Sequence, residues 1–174
     1  MGELALSGCI ARTAGTLLIE YRLQGSLGQI LWPSVPLVTG RCDELWRHSC
    51  FEVFFATKGD PAYWEANLCL SGCWNVYRFD GYRTGMQEEG GVVQPHCHVV
   101  ASPDLLLLTC TMDLNGIVDD SAELEVGLSS VIEGTDGSIS YWAIEHLGAV
   151  PDFHNRRSFL VLLPGLKDSN SHGD

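Results

Sequence analysis

Apolar and polar residues alternate with a period of two along much of the chain, the spacing of strands that bury one face. Leu17, Ile19, Tyr21 and Leu23 alternate with Leu18, Glu20 and Arg22. Leu124, Val126, Leu128, Ser130 and Ile132 do the same, with Glu123, Glu125 and Ser129 facing away. Leu105–Met112 and Phe159–Leu163 are short apolar runs suited to strands covered on both faces. Nineteen glycines and seven prolines punctuate these segments at short spacing. Turns are expected at Gly25–Gly28, Lys58–Pro61, Ser71-Gly72, Asp80-Gly81, Glu88–Gly91 and Gly134–Gly137. Only Asp119–Glu123 offers a helical turn. The pattern predicts an all-β, antiparallel β-sandwich.

Size and composition bound the rest. The 174 residues are 45% apolar and carry no internal repeat or linker, which fits one sandwich domain over 1–165 and a disordered polar tail over 166–174. No apolar run reaches the ~18 residues of a membrane span. Met1–Ile10 carries Glu3 and lacks a basic segment followed by a long apolar stretch, so a cytoplasmic location is expected. Seven cysteines, an odd number without a CxxC motif, are expected to be reduced, mostly buried, small hydrophobes. A net charge of −12 argues against nucleic acid and anionic membrane as partners.

The informative chemistry lies between residues 45 and 83. In a strand over Cys50–Ala56, Phe51, Val53 and Phe55 form one apolar face, while Cys50, Glu52 and Phe54 lie opposite with Trp46 and His48. In Tyr63–Leu70 the apolar face is Trp64, Ala66, Leu68 and Leu70, and the other holds Tyr63, Glu65, Asn67 and Cys69. A hairpin centred on Lys58-Gly59 sets Glu52 opposite Glu65. A two-residue turn at Ser71-Gly72 brings Arg78 opposite Glu65, with Trp74 and Val76 on the same face. A slip of two residues preserves each face; a slip of one reverses it. The expected row is Glu52–Glu65–Arg78, flanked by Trp46, Tyr63, Asn67 and Trp74, which reads either as a ligand platform or as an ion-paired solvent face. His96-x-His98, joined by His146 and His154, has a spacing that metal ligands use, but no Cys–His pattern of zinc-site spacing follows.

The segment Leu45-Trp46-x-x-x-Cys50-Phe51-Glu52-x-Phe54, with Tyr63-x-Glu65-x-Asn67, Ser71-Gly72-x-Trp74-x-x-Tyr77-x-Phe79-Asp80-Gly81-Tyr82-Arg83 and the late Pro151-Asp152-Phe153-His154, resembles DOMON-like domain proteins, relatives of family 9 carbohydrate-binding modules. The resemblance implies a jelly-roll-like β-sandwich that binds a small ligand, since such relatives hold sugars or haem. Trp46 and Trp74 are the nearest candidates to sandwich a sugar, and Met86 and Met112 are the methionines to weigh as haem ligands. The expected function is a non-catalytic module for a saccharide or sugar-derived metabolite. Trp46, Tyr63 and Trp74 would stack, Glu52, Glu65, Asn67 and Arg78 would hydrogen-bond hydroxyls, and His146 and His154 would stand at the rim. A haem-binding domain and a glycoside-acting enzyme using Glu52 and Glu65 remain the alternatives.

Overall fold

A computed structural model describes residues 3–33 and 39–166. In chain order the strands among these residues are β1 (Leu4–Thr13), β2 (Thr16–Gly25), β3 (Cys50–Thr57), β4 (Tyr63–Leu68), β5 (Trp74–Phe79), β6 (Gln87–Glu88), β7 (His96–Ala101), β8 (Leu105–Asp113), β9 (Leu124–Glu133), β10 (Ile139–Ala143) and β11 (Val161–Leu163). They form two antiparallel sheets. The smaller runs β1-β2-β8-β7, and the larger runs β10-β9-β3-β4-β5-β6 with β11 also pairing with β9. The sandwich expected from the pattern is the fold observed.

The alternating positions face each other across the two layers. Leu17, Ile19, Tyr21 and Leu23 of β2, with Leu106, Leu108, Cys110 and Met112 of β8, meet Phe51, Val53 and Phe55 of β3, Trp64, Ala66 and Leu68 of β4, and Val126 and Leu128 of β9. The Tyr21 hydroxyl crosses this core and donates to the Glu52 carbonyl oxygen at 2.5 Å. β8 is covered on one face only, since Leu105 and Leu107 alternate half-exposed with the buried Leu106 and Leu108. In β11, likewise, Leu162 is exposed beside the buried Leu163. Asp119–Glu123 forms turns rather than a helical turn, because the Asp119 carboxylate accepts from Ser121 and competes with helical bonding. Leu166 is tied by its N–H to the Asp120 carbonyl, and the rest of the expected tail lies outside the described residues.

Both hairpins of the informative stretch depart from the expected register. β3 and β4 pair Glu52 with Asn67 and Phe54 with Glu65, a slip of two residues that keeps every side chain on its face. β4 and β5 differ by one. The Cys69 N–H donates to the Cys73 carbonyl and closes a three-residue loop, Leu70-Ser71-Gly72, with Gly72 at φ +83°, so Glu65 stands opposite Tyr77 and Trp64 opposite Arg78. The extra residue turns Trp74 and Val76 into the main core and puts Asn75, Tyr77 and Phe79 on the outer face.

That outer face is itself covered. Phe54, Ala56, Tyr63, Tyr77, Phe79 and Phe159 form a second apolar cluster, with Trp46 and Phe153 against it. Gly127, opposite Phe54, makes room for it: a Cβ there would lie 3.1 Å from the Phe159 ring. The middle of the larger sheet is thus buried on both sides.

The cysteines divide into two groups, which corrects the reading that all seven are reduced. Cys97 and Cys110, directly opposite one another on β7 and β8, form a disulfide. Cys9, Cys42, Cys50, Cys69 and Cys73 are free thiols, and the Sγ atoms of Cys42 and Cys73 lie 2.8 Å apart. Peptide mapping without reduction is expected to recover Cys97 linked to Cys110. Replacing both by serine should cost about 3 kcal/mol through loss of the loop constraint, on the order of 6–12 °C in melting temperature. A melting curve that does not move would show that the link is not made in solution.

Candidate functional site

The second face of the larger sheet holds two rows of side chains across the strands. One runs Ser129–Glu52–Asn67–Asn75 and the next Gly127–Phe54–Glu65–Tyr77. Glu52 and Glu65 are therefore diagonal neighbours rather than directly opposed. Both are buried, at 2% and 4% exposure, yet both line a cavity of about 330 Å³ that opens on this face. Its floor is Glu52, Glu65 and Val131; its walls are Trp46, Tyr141, Phe153 and Phe79. Arg83, Met86, Pro151 and His154 complete the rim.

Local structure explains how the walls reach it. Trp46 sits in a 3₁₀ turn, Leu45–Arg47, entered through Glu44 in the left-handed region at φ 59°. Leu45 anchors this turn among Cys50, Cys69 and Cys73, and the Trp46 ring stands edge-on to Tyr77 at 5.4 Å. The opposite wall, Pro151–His154, is pinned through Asp152. Its carboxylate accepts from Arg83 and from the Tyr82 hydroxyl, each at 2.9 Å. Burial opposes ionisation of Asp152, but these two hydrogen bonds hold its pKa below the usual carboxylate range.

The polar network beneath is directional. Cys50 donates to the Asn67 side-chain oxygen at 3.4 Å, which turns the Asn67 amino group onto Glu65 Oε1 at 2.8 Å. The Tyr63 hydroxyl accepts from the Arg83 backbone N–H at 3.2 Å and pairs with His154 Nδ1 at 2.7 Å. The other imidazole nitrogen, Nε2, faces Glu65 Oε2 at 3.7 Å. Glu52 is served least: Oε2 accepts a 3.4 Å bond from Ser129, and Oε1 has no partner.

Burial sets the protonation states. It raises Glu65 to about 7, against the Asn67 hydrogen bond and the charge of Arg83, which lower it. It raises Glu52 well above the usual range, and the neighbouring Glu65 raises it further. Burial, with Arg83 nearby, lowers His154 to about 4, so the imidazole is neutral at pH 7.

Seven of the nine residues expected at the site fall on or beside this cavity. Trp46, Glu52, Glu65 and His154 line it, Tyr63 and Asn67 fix His154 and Glu65, and His146 lies outside the wall with its ring 6.1 Å from Phe153. His146 is exposed, and its Nε2 pairs with the Tyr141 carbonyl oxygen at 3.1 Å. The other two are turned away by the three-residue hairpin loop. Trp74 is buried in the main core with Arg41 over its ring at 4.3 Å, and Arg78 pairs with Asp80. Arg83 supplies the guanidinium instead. Tyr77, Phe79, Tyr141 and Phe153 were not anticipated as site residues, nor was the Arg83–Asp152 clamp, whose partners are 69 residues apart in sequence.

His96 and His98 project from the outer face of the smaller sheet beside Thr109 and Thr111. Among the described residues no three His, Cys, Asp or Glu side chains converge as metal ligands do. Met86 and His154 share the cavity, but haem fits it poorly. Both imidazole nitrogens already face Tyr63 and Glu65, and a porphyrin would cover two buried carboxyls without offering them a donor.

No protein-family model matches the chain, and no curated protein matches it. Solved structures do. A candidate carbohydrate-binding protein from Bacteroides uniformis superposes with a TM-score of 0.66 at 16% identity, over 93% of this chain and 78% of that one. A family 9 carbohydrate-binding module from Caldicellulosiruptor kristjanssonii, in complex with glucose, gives 0.54 at 8% identity over 98% of this chain and 81% of that one. Such a module from the same organism with cellotriose gives 0.56 at 8% identity, over 100% and 82%. The chain has the β-sandwich fold of family 9 carbohydrate-binding modules.

The two buried titrations act on stability with opposite signs. Glu65, raised in the folded state, favours folding below pH 4.5 and loses that contribution as pH rises through about 7. His154, lowered, contributes above pH 6.5 and loses that contribution as pH falls through about 4. In Glu65→Gln the first is removed and the second kept, so stability should rise from pH 4 to 6.5 more steeply than in the parent. An NMR titration of the parent should place the His154 midpoint near 4. A midpoint near 6.5 would mean that the imidazole is solvated and the clamp open.

Proposed function

We propose that this chain is a DOMON-like, non-catalytic module that binds a saccharide in the cavity above Glu52 and Glu65. One observation carries the reading: two buried carboxyl groups, one with an unpartnered oxygen, form the floor of a cavity walled by aromatic rings. A buried acceptor without a donor is costly unless a ligand supplies one. A pyranose has the matching shape, with hydroxyl donors around its edge and apolar C–H faces for Trp46, Tyr141 and Phe153. The glucose and cellotriose held by fold relatives support the class of ligand. Binding rather than cleavage is the reading because burial raises Glu52 well above the usual range and Glu65 to about 7, so neither is fully ionised at neutral pH, whereas a retaining hydrolase needs one of its pair ionised as the nucleophile.

Isothermal titration against glucose, cello-oligosaccharides and other mono- and disaccharides tests this. Saturable binding is expected for at least one of them. Trp46→Ala and Glu65→Ala should each weaken it at least tenfold, about 1.4 kcal/mol. At 100 dissociation constants of ligand the parent should gain roughly 2.7 kcal/mol of stability. Absence of binding across the panel, or binding indifferent to both substitutions, would remove the saccharide reading. Release of reducing ends from a glycoside would replace it with a hydrolase.

A further inference from the structure

The carboxyl oxygens on the cavity floor are short of partners. Glu52 Oε1 has no partner at 2% exposure, and Glu52 Oε2 has one long bond from Ser129. Glu65 Oε2 faces only the His154 imidazole, at 3.7 Å. The cations nearby are not available to either. The Arg83 guanidinium is committed to Asp152 at 2.9 Å, so that pair is neutral as a unit, and the Tyr63 hydroxyl is spent between Arg83 and His154. The cavity therefore has room for one positive charge that the protein does not supply.

Ligand chemistry follows from that deficit. A hydroxyl donates one hydrogen, brings lone pairs of its own and does nothing to offset the burial that opposes ionisation of the floor. An ammonium donates three hydrogens, accepts none and cancels one charge. The rings of Trp46, Tyr141 and Phe153 tolerate a cation on their faces, and the chain's net charge of −12 favours its approach. Resting on the saccharide reading above, we propose that the cavity selects saccharides bearing a free primary amine, with the ammonium seated between Glu52 and Glu65.

The test is titration of the full chain at pH 7 with glucosamine, glucose and N-acetylglucosamine, which share a ring and differ at one substituent. Cyclohexylamine serves as the amine without a sugar. Glucosamine is expected to bind at least tenfold tighter than each of the other three. In Glu52→Gln and Glu65→Gln, which keep the shape of each side chain and remove its ability to ionise, the ratio of glucosamine to glucose affinity should fall to about one. Equal affinity for glucosamine and glucose in the parent would overturn this proposal and leave the saccharide reading standing. Cyclohexylamine binding as tightly as glucosamine would overturn both, showing a general amine site. Preference for N-acetylglucosamine would also overturn the charge argument, since its amide carries none.

Discussion

The central strands of the larger sheet are buried on both faces, so a second cover over that sheet decides what those strands can do. One face belongs to the sandwich core, as in any antiparallel pair of layers. The other is closed by the Leu45–Arg47 turn from one side and the segment around Phe153 and Phe159 from the other. Without these covers Glu52, Glu65 and Asn67 would be ordinary polar residues on a solvent face, with ordinary ionisation. With them, the same residues sit under aromatic rings, and burial is the largest cause that moves Glu65 to about 7 and His154 to about 4. The chemistry of the site is therefore made by the loops, not by the strands that carry the carboxyls.

The parts legible in the sequence were those that follow from a period of two. The faces of β2, β3, β4 and β9 could be assigned because Leu, Ile, Val and Phe alternate there with polar residues. β1 was missed: its inward positions are thinned to Leu4, Leu6, Gly8 and Ile10, and it gains its place only by pairing along its whole length with β2. β5 was misassigned for a different reason. Trp74, Val76 and Arg78 on one side and Asn75, Tyr77 and Phe79 on the other are equally mixed, so alternation cannot say which faces the core. The length of the turn decides, and a two-residue and a three-residue loop give opposite answers.

The site was half legible for the same reason. Glu52, Glu65 and Asn67 belong to strands whose faces were certain, and Trp46 and His154 stand in the motif segments that carry the family resemblance. Their companions come from distant segments. Tyr141 lies on β10, and Arg83 meets Asp152 across 69 residues. No local pattern reports such a pairing, because the contact exists only once both loops are folded over the sheet.

A carboxyl pair buried under aromatic rings is an expensive thing to keep for structure alone. An oxygen without a donor, such as Glu52 Oε1, costs free energy that a leucine of similar volume would not. Elsewhere on this sheet buried serines and asparagines have their hydrogen bonds made, as Ser130 does to the Cys50 carbonyl and Asn75 to the Tyr77 hydroxyl. The departure is local, lies at the bottom of a cavity, and has a pinned loop as its lid. Cores dispose of such a defect by ion pairing or by protonation. Here the guanidinium that could have paired with it is drawn off by Asp152, and the imidazole that could have charged is kept neutral by burial. Each of these arrangements withholds a counter-charge from the floor while pinning the walls above it.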